Sequence, residues 1–261
     1  MTDRLNRPDA PTLAIHRRLP EADRPTILFL PGYGSDMTGG KATALWGWAE
    51  RTGHGCALFD WRGCGESGGE FAQATLTDWL ADATDVLDSF DGPAVLVGSS
   101  MGGWVALLLA LARPERVAGL VGIAAAPDFT DWGFSGAQRA RLAAGGDLEE
   151  PSPYDDTVML ATGRFWRSGE DHLLLTAPIP MPCPVRLLQG TADADVPVEV
   201  ALKLLDRLES PDATLTLVDG GDHRLSSERD IDRLLRSVGE IADAVSRPSI
   251  QVLEPEPETR D

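Results

Sequence analysis

The stretch AVLVGSSMGGWVALLLALA (94–112) decides how this chain is read. AVLVG has the character of a buried strand, turns at Gly98-Ser99-Ser100-Met101-Gly102, and runs straight on into an apolar helix. Strand, sharp turn and helix in that order are the context a nucleophile elbow requires. The glycines follow from the turn. It strains the backbone of the nucleophile and brings the positions two before and two after it together, so a side chain at Gly98 or Gly102 would collide. Ser100 is then presented at the strand's end, with its backbone near the positive end of the helix.

The five-residue pattern alone is not specific, because Gly65-Glu66-Ser67-Gly68-Gly69 also satisfies it. That copy lies in the glycine-rich loop WRGCGESGGE, with no strand entering and no helix leaving within several residues. Ser67 therefore reads as part of a tight structural loop and Ser100 as the nucleophile.

On either side of the elbow, short apolar runs alternate with helical patterns. TILFLP (26–31), GCALFDW (55–61), AVLVG (94–98), VAGLVGIAA (117–125), VRLLQG (185–190) and TLTLVDG (214–220) read as buried strands. Helical periodicity fills residues 41–51, 76–90, 101–112 and 198–208. Parallel neighbours need crossover connections, so this alternation predicts an α/β fold with a mostly parallel sheet covered on both faces. Residues 127–182 break the rhythm: no strong strand run occurs, and exposed aromatics (Trp132, Phe134, Phe165, Trp166) punctuate helical stretches. We read this interval as a helical lid inserted over the sheet's edge, within a single domain of residues 1–247. The Pro- and Glu-rich tail, residues 248–261, is expected to be disordered.

A nucleophilic serine needs a base, and the chain has four histidines. His16 falls in an expected edge strand, His54 in a turn and His172 in the insertion, whereas His223 follows the last strand immediately, in VDGGDHRLSSE. The glycine pair there can project the imidazole over the carboxyl end of the sheet, where open parallel sheets form their sites. The orienting acid should come from the preceding strand, in the order Ser, acid, His. LLQGTADADVPVEVA supplies Asp193 and Asp195, and either could hydrogen-bond the imidazole. Asp193 is favoured, because Asp195 beside Pro197 suits capping of the next helix. Two oxyanion donors are expected: the N–H of Met101, just after the nucleophile, and that of Tyr33 in FLPGYGSDM, whose glycines allow close approach of the backbone.

Composition removes other classes. With 41 acidic and 23 basic residues among 261 the net charge is −18, and only Lys41 and Lys203 are lysines. Such a chain offers no basic stripe for nucleic acid and is repelled by anionic membranes. VALLLALA (105–112) is far too short to span a bilayer. Six acids and no base lie between residues 70 and 112, and Asp78, Asp82, Asp85 and Asp88 are spaced like one solvated helix face. No histidine pair or Cys/His cluster has metal spacing, and neither a dinucleotide fingerprint nor a phosphate loop is present: GSDMTGGKA has Ala42 where Ser or Thr is needed. No cofactor and no metal are expected. The first 18 residues hold no apolar leader and carry Asp3 and Asp9; with the widely spaced Cys56, Cys64 and Cys183, this predicts a cytoplasmic protein.

The phrases LPGYGSDMTGGKA, LFDWRGCGESGG, LVGSSMGGW, ARPERVAGLVGIAAAPD, APIPMPCPVRLLQGTADADVP and GDHR, in that order, resemble the α/β-hydrolase superfamily. Within it they are similar to the abhydrolase-domain family of mitochondrial palmitoyl-protein thioesterases and acyl-glucuronide hydrolases, in a bacterial-type version. The resemblance spans residue 26 to about residue 245. It implies the α/β-hydrolase fold and places the family's triad on Ser100, Asp193 and His223. The mitochondrial address is not expected to transfer. Gln189 stands where the superfamily commonly has His, with little consequence expected. The function expected is a serine hydrolase cleaving carboxylic esters or thioesters of small molecules or acylated proteins, as a monomer or weak dimer. Dehalogenases and epoxide hydrolases need an elbow aspartate and dienelactone-type hydrolases a cysteine. A peptidase, an acyltransferase or a catalytically silent binding module remain the alternatives.

Overall fold

The six apolar runs are strands of one sheet. The computed structural model describes residues 2–152 and 158–246; the expected disordered tail lies outside the described residues. The chain begins with β1 (Asp3–Arg7), β2 (Ala10–Arg18), β3 (Thr26–Leu30), α1 (Gly40–Thr52), β4 (Gly55–Phe59), α2 (Leu76–Asp88), β5 (Ala94–Ser99), α3 (Met101–Ala112) and β6 (Val117–Ile123). The insertion holds α4 (Phe129–Trp132), α5 (Gly136–Ala143), β7 (Leu148–Pro151), β8 (Val158–Ala161), α6 (Gly163–Glu170) and β9 (Ile179–Pro180). β10 (Val185–Gly190), α7 (Val198–Arg207), β11 (Leu208–Glu209), β12 (Ala213–Val218) and α8 (Glu228–Ser246) complete it.

The main sheet runs β1-β2-β4-β3-β5-β6-β10-β12. β1·β2 and β2·β4 are antiparallel; every neighbour from β4 to β12 is parallel. β2, with His16, is thus an inner strand, and β1 forms the edge. The period of two divides each strand between the sheet's faces: Leu28 and Leu30 of β3 pack on the side of α2, α3 and α7, while Ile27 and Phe29 pack on the side of α1 and α8. Both faces are therefore covered, as parallel sheets require. α3 is apolar all round, and ten of its residues are buried, because the sheet lies under it and the insertion over it. α8, a 19-residue helix outside the stretches read as helical, contributes Leu234, Val238, Ile241 and Ala242 to the core.

Two expectations are corrected. The insertion is not purely helical, since β7 and β8 form an antiparallel hairpin; LEEP and VMLA are too short to show a clear alternation. Its aromatics are largely packed: Phe165 is buried, and Trp132 and Trp166 are half-buried with their indole N–H groups donated to Pro127 O and Thr130 O. The acids of α2 are not one solvated face either. Asp82 is fully buried and accepts from Arg7 Nη1 (2.5 Å), from Arg62 Nε (2.9 Å) and Nη2 (2.6 Å), and from the Arg62 backbone N–H (2.9 Å). Asp78 takes Arg62 Nη1 and Asp85 takes Arg7 Nη1. Helical spacing put these carboxylates on one stripe, but that stripe faces two arginines from elsewhere in the chain. Among the described residues no helix is long and apolar enough to cross a membrane.

Candidate active site

The elbow is as sharp as its glycines imply. Ser100 has φ 55° and ψ −121°, a conformation rare for a side-chain-bearing residue. A Cβ at Gly98 would sit 2.3 Å from Gly102 O, and one at Gly102 would sit 2.1 Å from Leu30 O and 2.4 Å from Pro31 O. These contacts are with backbone, which cannot step aside. The strained turn is tied down by Ser100 N–H to Ile123 O (2.9 Å) and by Ser100 O, which accepts from Gly103 N (2.9 Å) and Ala126 N (3.1 Å). Ser100 occupies the N-cap position of α3, yet its side chain makes no capping bond and is half-buried. Met101 opens the helix, so its N–H is one of the donors a helix leaves unused at its start.

The loop after β3 lies against this turn: a Cβ on Gly32 would be 3.6 Å from Ser100 Cβ and from Ser99 O. Tyr33 follows directly. Its ring packs among Phe71, Trp79, Phe129 and Phe165, with centroids 5.0–6.1 Å away, and its hydroxyl donates to Leu160 O of β8 at 2.5 Å. Burial pushes the Tyr33 phenol far above its ordinary range, so the hydroxyl stays a donor. The loop carrying the candidate Tyr33 N–H is thereby fastened to the insertion. The insertion's two ends are fastened together by Asp128, whose carboxylate accepts from Leu174 N and Leu175 N, both at 2.7 Å.

Parallel strands carry the acid and the base to the same edge. The loops after β10 and β12 are stitched by Thr191 N to Val218 O (2.9 Å), Ala192 N to Gly221 O (2.9 Å) and Gly220 N to Thr191 Oγ1 (2.8 Å). His223 Nδ1 lies 3.0 Å from Asp193 Oδ2 and 4.0 Å from Asp195 Oδ2; the Asp193 side chain is fully buried, whereas that of Asp195 is 39% exposed. Asp193 Oδ1 accepts the backbone N–H groups of Asp195 and Val196, both at 2.9 Å. Burial raises the pKa of Asp193, but the His223 hydrogen bond and these two N–H groups outweigh it and leave the carboxyl below its ordinary value. The geometry thus favours Asp193 over Asp195 as partner of His223. The capping reason for that choice does not hold, because Pro197 is the N-cap of α7 and no side chain caps it.

One contact was not anticipated. Gln189, buried in β10, donates from Nε2 to Asp193 Oδ2 at 2.9 Å and to Val196 O at 3.0 Å. Its signal in the sequence is a polar residue directly after the apolar pair Leu187-Leu188 of a buried strand, which must find partners nearby. Gln189, expected to be of little consequence because it lies on the strand, is thus in direct contact with the candidate acid. The remaining histidines sit elsewhere: His16 stacks on Trp46 (3.8 Å), His54 stacks on Trp48 (4.7 Å), and His172 bonds Thr77 Oγ1 (2.9 Å). Ser67, the second pattern match, donates to Asp60 O (2.6 Å) and accepts from Ala14 N (2.8 Å), both bonds internal to the fold.

Among the described residues one group, Asp193, Asp195 and His223, brings possible metal-ligand atoms within 4.8 Å of one another. The Asp193 carboxylate already holds four donors, and Asp195 is exposed, a poor basis for a cation site.

A family model described as "Alpha/beta hydrolase family" matches residues 27–236. The human palmitoyl-protein thioesterase ABHD10, mitochondrial, is 38% identical over 247 residues, covering 93% of this chain and 80% of the relative. The solved mouse alpha/beta hydrolase domain-containing protein 10 superposes with a TM-score of 0.87 at 37% identity, covering 94% of this chain and all of that one. A crystal structure of an Agrobacterium vitis S4 protein gives the same TM-score at 41% identity, covering 93% of this chain and 98% of that one. The cytoplasmic location expected from the N-terminus is corrected by these relatives, since the curated matches are mitochondrial by name. Addresses are read by receptors, and the composition of a packed domain does not fix them.

Proposed function

Because this chain belongs to the alpha/beta hydrolase family, we propose that it is a serine hydrolase acting on carboxylic esters or thioesters through Ser100, His223 and Asp193. His223 Nε2 takes the proton of Ser100 Oγ as the oxygen attacks the acyl carbon. Asp193 accepts from Nδ1, which fixes the tautomer that leaves Nε2 free to receive the proton and stabilises the imidazolium that forms. The N–H groups of Met101 and Tyr33 receive the charge that develops on the acyl oxygen. The leaving alcohol or thiol departs with the proton from His223, and water, activated by the same imidazole, releases the acyl group. Oxygen esters and thioesters pass through the same tetrahedral geometry, so both belong to the proposed substrate class. The curated relatives' name, palmitoyl-protein thioesterase, supports including long acyl chains on proteins.

The observation that carries this reading is the 3.0 Å contact between His223 Nδ1 and the buried Asp193 carboxylate, on the sheet edge where the strained Ser100 follows β5. Wild-type protein should turn over p-nitrophenyl acetate and take a fluorophosphonate label, and Ser100→Ala should do neither. Undiminished labelling of Ser100→Ala would overturn the assignment.

A further inference from the structure

We propose that Gln189 is a positioning residue for the triad, fixing the rotation of the Asp193 carboxylate and setting how strongly it holds His223; this rests on the hydrolase reading above. Nε2 of Gln189 has three acceptors around it, Asp193 Oδ2 (2.9 Å), Val196 O (3.0 Å) and Gly190 O (3.3 Å). Turning the amide over would set Oε1 against all three, so the donor's direction is forced. Oε1 itself is buried with no partner among the described residues. A buried acceptor without a donor is costly, and apolar Leu187 and Leu188 fill the preceding positions of the strand. The amide's contribution to the molecule is therefore what Nε2 does.

Its effect follows from the four donors on Asp193. Oδ1 is held by the N–H groups of Asp195 and Val196, and Oδ2 by Gln189 and His223. Three of these come from strand β10 or its loop, and only His223 lies on a different strand's loop. Among the described residues Gln189 is the donor found on Oδ2 besides His223. Without it β10 and its loop hold the carboxylate by Oδ1 alone, so Oδ2 is steadied by His223 only and the lone pair aimed at Nδ1 is less closely fixed by rotation about the Cβ–Cγ bond. With it, part of the charge on Oδ2 is spent on an amide N–H, which moderates the pull on the imidazole. Among the described residues, charged groups beside His223 include Asp195, 4.0 Å from Nδ1, and its two chain neighbours, Asp222, whose Oδ1 accepts Leu225 N, and the cation Arg224.

The test uses the full chain with p-nitrophenyl acetate and two variants. Gln189→Met keeps the length and removes the donor; Gln189→His restores an N–H at the same strand position. Gln189→Met should lower kcat about tenfold to hundredfold, the size of a misaligned supporting contact, with KM changed less than about threefold. The acid limb of its kcat/KM profile should move to higher pH, because Oδ2 now gives all its charge to the imidazole. Gln189→His should recover most of kcat and return the limb toward wild type. A Gln189→Met enzyme within threefold of wild-type kcat, or equal losses in both variants with the limb unmoved, overturns the proposal. A wild type without Ser100-dependent turnover would instead bring down the hydrolase reading, and this inference with it.

Discussion

Replacing Asp193 by Asn tests the assignment of acid and base together, and the structure dictates how the amide must sit. In one rotamer the amide oxygen keeps the two backbone N–H bonds of Asp195 and Val196, and the NH₂ takes the place of Oδ2, facing Gln189 Nε2 and His223 Nδ1. In the other, the oxygen keeps Gln189 and His223, and the NH₂ opposes two backbone N–H groups that cannot move. An unsatisfied buried donor costs about 1–3 kcal/mol. The second rotamer strands two fixed donors. The first leaves only Gln189 short, and its Nε2 still has Val196 O. The first therefore wins by about 1–3 kcal/mol, and it presents a donor to His223. The imidazole answers by accepting at Nδ1 and carrying its proton on Nε2, the wrong tautomer to take a proton from Ser100. A wrong tautomer costs about 10,000-fold in kcat, or about 5.5 kcal/mol. The assay is steady-state hydrolysis of p-nitrophenyl acetate with fluorophosphonate labelling rates alongside. Asp195→Asn, which leaves the 3.0 Å contact intact, should lose less than about threefold. A loss below about tenfold in Asp193→Asn, or a larger loss in Asp195→Asn, would refute the assignment of the acid.

Four further outcomes are expected. Because the folded Asp193 carboxyl is held below its ordinary 3.8, its contribution to stability is present above about pH 4 and lost as pH falls through the lowered value; urea unfolding should show the gap between wild type and Asp193→Asn closing as pH falls below 4. Ser67→Ala removes two internal bonds, so it should lower stability by about 1–3 kcal/mol while keeping labelling near wild type; loss of labelling would exchange the two serine motifs. Asp82→Ala takes four hydrogen bonds from Arg7 and Arg62 and leaves them the partly exposed carboxylates of Asp85 and Asp78; it should cost about 3–5 kcal/mol, a fall in Tm of about 6–20 °C, and a change within 2 °C in calorimetry would contradict the buried pairing. Tyr33→Phe deletes the bond to Leu160 O and should expose the insertion to limited proteolysis at least severalfold faster, with about 1 kcal/mol less stability.

The parts of the molecule legible from sequence are those set by local rules. Short continuous apolar runs located β3, β4, β5, β6, β10 and β12 within a few residues, and the glycines at 98 and 102 announced the close approach at the elbow that the 2.1–2.3 Å clashes measure. The order Ser, acid, His picked three loops that all end at one sheet edge, because every strand from β4 onward is parallel to its neighbour. Other features escaped because their signal is a partner far away in sequence. Asp82 looked solvated on its helix, and its burial depends on Arg7 and Arg62 from other elements. The β7·β8 hairpin is too short to carry a pattern of its own.

Around the candidate site the division is the same. Sequence by itself determined which residues could do the chemistry: a serine at a strand-to-helix turn, a histidine after the last strand, and two acids in one loop. The sequence favoured Asp193 over Asp195 on a capping argument that does not hold; only the tertiary structure supplies a geometric reason, with the Asp193 side chain fully buried 3.0 Å from His223 and that of Asp195 partly exposed at 4.0 Å. It also turned Gln189 from an ordinary strand residue into a donor on that carboxylate, and Tyr33 from a loop residue into a tie to the insertion. The reason is physical. Spacing along a chain fixes which face a side chain takes, but which group it meets there depends on strand pairing and loop packing, which local sequence does not encode.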